Sequence, residues 1–214
     1  MKELQEKINE KEFGKYLASK GLDPDKDYSC GRHKDFVLDV LGFEEDESED
    51  PLPVEPTKYH PLNFLGTRAG AMIIEDIPKI IKFIDSKKPV VFYHDYNDYM
   101  GKTYKSLPKK NRYGNHVFVL FKIGSKYVMT QAYMHRYKNK VTVFDKNGVE
   151  EMLKIIINDL SDYTRTKTWE DINFDSYNKY FYTDLTAYPD IPLNMKNKVH
   201  GINLTYIFTK RKTS

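Results

Sequence analysis

The segment 116–133 constrains this chain more than any other. His116-Val117-Phe118-Val119-Leu120-Phe121-Lys122-Ile123 is a nearly unbroken apolar run, and Lys126 to Tyr133 is a second one of similar length. Between them lie only Gly124 and Ser125, a pair that suits a type II′ turn joining antiparallel strands. A run this apolar predicts a buried strand. If Gly124-Ser125 is the turn, Ile123 faces Lys126 and Phe118 faces Gln131. His116 then faces Tyr133. Cross-strand partners point to one side, so His116, Phe118, Leu120, Tyr127, Met129, Gln131 and Tyr133 are expected on one face.

The remaining segments fall around this hairpin. Residues 2–19 read as a weakly amphipathic helix ended by Gly21 and Pro24. A second helix is expected over 32–42, with Phe36, Val37, Val40 and Leu41 on one face and Gly42 as its stop. The stretch 44–56 is acidic and then proline-rich, and reads as a surface loop. Asp76 is placed to cap a helix carrying Ile77, Ile80, Ile81 and Ile84. Val90–Tyr93 is a short strand, 94–114 is polar and irregular, and Val141–Phe144 is a third strand. Val149, Met152, Leu153, Ile156, Ile157 and Leu160 mark a strong helix, and Gly201–Thr209 alternates as a last strand. Helices come first and mainly antiparallel strands later, so the expected class is α+β, in a single domain spanning 1–214.

Composition narrows the function classes. With 34 basic and 31 acidic residues the net charge is only +3, so nucleic acid is not expected as a partner. One cysteine excludes an internal disulfide and a cysteine-rich zinc site. No apolar run reaches the roughly 18 to 20 residues of a membrane span, and the charged N-terminus lacks a secretory signal. The expected location is the cytoplasm, or a host cytoplasm into which the protein is delivered. No metal or cofactor is expected.

The single thiol, Cys30, falls at the predicted start of the second helix. A helix N-terminus and a nearby imidazolium both favour the thiolate, which is the nucleophilic form. Gln131 is the diagonal hairpin neighbour of His116, at roughly 5 to 8 Å between backbones, close enough to orient its ring. A nucleophile, a base that later protonates the leaving group, and an amide that fixes the base form a catalytic set. Cys30, His116 and Gln131 are its candidates, with Tyr133, Asn115 and Tyr93 as substrate-contacting candidates. The order Ser29-Cys30-Gly31, Asn115-His116-Val117, Thr130-Gln131-Ala132 resembles the layout of the papain-like thiol hydrolases. That superfamily includes transglutaminase-like enzymes and YopT-type bacterial effector proteases. The resemblance covers about 35 of the 214 residues and implies a papain-like fold. It also implies a protein or peptide substrate cleaved at an amide bond, in a host macromolecule if the chain is an effector. Two features depart from the family. No glutamine precedes Cys30, where Asp23-Pro24-Asp25 stands, and Gln131 replaces the commoner Asn or Asp.

Competing expectations stand beside this one. A lone cysteine is commonly a small packed hydrophobe. The Tyr-rich stretches near 93–104 and 177–188 could serve a non-catalytic protein- or nucleic-acid-binding module. His94-Asp95 could belong to a phosphodiesterase, although no matching pattern accompanies it. His33 and His135 are expected at exposed or secondary positions.

Overall fold

A computed structural model describes residues 2–46, 74–95, 116–132, 140–160 and 203–213. It forms α1 (Lys2–Lys7), α2 (Glu10–Ser19), α3 (Cys30–Leu41), β1 (Phe43–Glu45), a short 3-10 turn (Ile74–Asp76), α4 (Ile77–Asp85), β2 (Val90–Asp95), β3 (His116–Ile123), β4 (Lys126–Gln131), β5 (Lys140–Phe144), α5 (Lys146–Leu160) and β6 (Asn203–Arg211). The strands make one sheet in the order β1-β6-β2-β3-β4-β5. All five pairings are antiparallel. The architecture is α+β.

The hairpin register follows the expected rule. Ile123 pairs with Lys126, Leu120 with Met129 and Phe118 with Gln131. Gly124 has φ 57° while Ser125 keeps a negative φ, as a type II′ turn requires.

Alternate residues of the central strands feed two cores. Phe92, Phe118, Leu120, Tyr127 and Met129 pack with Ile77, Ile80, Ile81 and Ile84 of α4 and with Val149, Met152, Leu153 and Ile157 of α5. On the opposite face, Val91, Val117, Val119, Phe121 and Val128 pack with Phe13 and Leu17 of α2 and Phe36, Val37 and Leu38 of α3. The N-terminal helices therefore lie on a mainly antiparallel sheet as expected, while α4 and α5 cover its other side and make three layers. Phe92 and Phe118 stack across the β2–β3 ladder, 4.8 Å between ring centroids and 3° from parallel.

Several local expectations give way to side-chain chemistry. The helix expected over 2–19 divides at Asn9, whose side chain accepts from the Glu12 N–H at 2.9 Å and starts α2 as a new helix. The second helix begins at Cys30, where Ser29 caps it by accepting from the Arg32 N–H at 3.3 Å. Glu44 and Glu45 are not loop residues. They belong to β1 and face Lys210 and Thr209 of β6; Lys210 offsets the charge of Glu44, and Lys34 of α3 offsets that of Glu45. The rest of the acidic Pro-rich loop to 56 falls outside the described residues. Asp76 precedes α4 in helical geometry without a side-chain cap, and instead accepts from the Tyr206 hydroxyl at 3.1 Å. β2 extends through His94 and Asp95, and β6 runs to Arg211, two residues beyond the expected end, because β1 supplies further partners.

Asp85, at the end of α4, ties that helix to the hairpin. It accepts from Lys122 Nζ at 2.5 Å and from the Tyr127 hydroxyl at 2.6 Å. The hydrogen bond from Lys122 is the largest influence on the Asp85 carboxyl, followed by that from Tyr127, and its pKa is lowered. Stabilisation from a depressed carboxylate is complete above the ordinary range and is lost as pH falls through the lowered value. Tyr127→Phe should cost about 1 kcal/mol in urea unfolding at pH 7. Asp85→Asn should flatten the acid limb of the stability curve below about pH 4. Phe118→Ala, which opens the stack between β2 and β3, should cost about 3 to 5 kcal/mol by the same measurement.

Candidate functional site

Chain order and packing bring the start of α3 against the start of β3. Ser29 is extended and caps the helix, so Cys30 is its first residue, and α3 lies across β3. Cys30 is half-buried against the core shared by α2, α3 and the sheet. The backbone N–H of Val117 lies against its sulfur, as do those of Gly31 and Cys30 itself. Burial is the largest influence on the thiol and pushes its pKa up. The three N–H groups and the Lys34 ammonium pull the other way and only partly offset it. Packing against apolar side chains makes the neutral thiol the favoured resting form.

One helical turn on, Lys34 Nζ donates to Glu45 Oε2 at 2.9 Å and pairs with Asp35 Oδ1 at 2.8 Å. The Tyr93 hydroxyl donates to the other oxygen of Glu45. Tyr93 is the cross-strand partner of Val117, so this network borders the thiol. Burial opposes the charge on Lys34, but Tyr93, Asp35 and Glu45 together outweigh it and hold its pKa above the ordinary lysine value. A groove of about 560 Å³ opens beside the network and reaches Lys34, Glu45, Lys210 and Lys212, although Cys30 does not line it.

His33 is 1% exposed, not a surface residue as expected. It comes one turn after Ser29 on the buried side of α3. Its Nε2 lies 3.4 Å from Thr130 Oγ1, and its ring meets Phe13 edge-on at 5.3 Å between centroids. Its i, i+3 relation to Phe36 was the signal for that burial.

The sheet stands between Cys30 and Gln131. Gln131 pairs with Phe118, whose ring belongs to the α4/α5 core. Thr130, its neighbour, meets His33 of α3. Alternation therefore turns Gln131 away from α3, where it is fully buried. The hairpin register is the expected one, with Gln131 opposite Phe118, and the helix bearing Cys30 packs on the other face of the sheet. Tyr93 is the one expected substrate-contacting residue that is described beside Cys30. The side chain of His116 and all of Asn115 and Tyr133 lie outside the described residues, as do the side chains of His94 and Asp95. Strand parity groups position 116 with 118 and 120.

No group of three or more His, Cys, Asp or Glu side chains able to hold a metal occurs among the described residues. No helix among the described residues is long and apolar enough to cross a membrane. Comparison with protein-family models, curated proteins and solved structures matches none of them. The papain-like resemblance accordingly rests on the layout of residues alone.

Because Gln131 faces away from α3, Gln131→Leu should leave the iodoacetamide reactivity of Cys30 within about twofold of the parent at every pH, whatever it does to stability. A loss of reactivity in a folded variant would restore Gln131 to the thiol's surroundings.

Proposed function

We propose that the chain is a thiol-dependent hydrolase of papain-like layout, acting on an amide bond in a protein or peptide, with Cys30 as nucleophile and His116 as base. The observation that carries this is the placement of the Cys30 sulfur at a capped helix start against the N–H of Val117, the residue directly after His116. A raised thiol needs a base, and His116 is the imidazole that β3 carries, one residue before Val117. Gln131 lies on the sheet face opposite α3.

In the proposed reaction the Cys30 proton passes to His116 as sulfur bonds to the substrate carbonyl carbon. The resulting oxyanion accepts from the Cys30 N–H at the helix start. His116 then protonates the leaving nitrogen as the C–N bond breaks, and water hydrolyses the thioester.

A second reading has its own support. The raised thiol and the opposite-face position of Gln131 favour Cys30 as a packing residue in a non-catalytic binding domain. The pH dependence of iodoacetamide alkylation separates the two. In the hydrolase Cys30 reacts readily below pH 8, and His116→Ala slows it on the order of tenfold or more. In the packing domain reaction is slow until pH rises well past the ordinary thiol value of about 8.5, and His116→Ala changes nothing.

A further inference from the structure

The network of Lys34, Glu45 and Tyr93 joins three elements around the thiol, and packing alone does not call for it. Apolar side chains would close the junction of α3, β1 and β2 without the cost of half-burying a lysine and a glutamate. The Lys34 and Glu45 side chains are only 13% and 20% exposed. Lys34 follows Cys30 by four residues, so their β-carbons share one helix face about 5 to 6 Å apart. Glu45 is in turn fixed by Tyr93, which lies across the ladder from Val117 at the sulfur.

We propose that Lys34 is a positioning residue that sets the charge state of the Cys30 thiol, and that Glu45 limits how much of its charge the sulfur feels. As a role in catalysis this rests on the thiol hydrolase proposed above. The other groups around the thiol leave the task to this pair. On α3, Asp35 shares Lys34, and Arg32 is turned to Asp27 at 3.6 Å. His33 is turned to Thr130 and Phe13. From β2, Tyr93 donates to Glu45, and from β1 Glu45 contributes the opposing charge. A fixed cation within one turn favours the thiolate. Removing its carboxylate partner should strengthen that effect.

The experiment reads the alkylation midpoint of Cys30 from iodoacetamide rate against pH, in full-length protein whose folding is checked by circular dichroism. Lys34→Gln should move the midpoint up by about half a unit or more, Glu45→Gln should move it down by a similar amount, and Lys34→Arg should leave it near the parent value. The proposal is overturned if folded Glu45→Gln and Lys34→Gln both keep the parent midpoint, or if both move it the same way. Should Lys34→Gln not fold, the sign of the Glu45→Gln shift decides alone, an upward or absent shift overturning the proposal. Repeating the series in His116→Ala separates the two ideas. Midpoints that still follow residues 34 and 45 when His116→Ala has no effect keep the tuning and remove the hydrolase. A His116 effect with fixed midpoints does the reverse.

Discussion

Phe92 and Phe118 stack across the β2–β3 ladder on one side of the sheet, while Val91, Val117 and Val119 are sealed beneath α3 on the other. Two-sided burial of these two strands is the constraint on which the other elements depend. A strand covered on both faces needs helices above and below it. The helix that covers Val117 is the one that begins at Cys30. The position of the thiol is thus a consequence of core packing, and any chemistry it performs is built on that contact.

The same packing sets the electrostatics. Apolar neighbours raise the Cys30 thiol, and the charged groups that could offset this are held at the rim, where α3 meets β1 and β2. A helix start with three N–H groups against a sulfur can stabilise an anion, but burial sets the balance toward the neutral form. In the proposed hydrolase, activity turns on whether a base reaches the sulfur, and on how Lys34 divides its charge between Glu45 and Cys30.

The hairpin was legible because its signals agree. Two apolar runs, a Gly-X turn and the period of two fix the pairing of Phe118 with Gln131. The helix of Ile77, Ile80, Ile81 and Ile84 was legible for the same reason at a period near 3.6. The break at Asn9 was missed because 2–19 was read by periodicity, while Asp76 and Glu44-Glu45 were misread because each was judged by residue type alone. Asn9 interrupts a periodic pattern by bonding its own backbone. Asp76 has a better partner in Tyr206, 130 residues away, and the two glutamates gain strand partners from the far end of the chain.

By itself, the sequence determined the main helices and strands, the hairpin register and which hairpin side chains share a face, because these follow from local periodicity and turn chemistry. It also supplied a single thiol. Only the tertiary structure decided which face each helix covers. That choice comes from long-range burial, which no spacing along the chain encodes. It separated Cys30 from Gln131 by the thickness of a sheet and set Lys34, Glu45 and Tyr93 around the thiol instead.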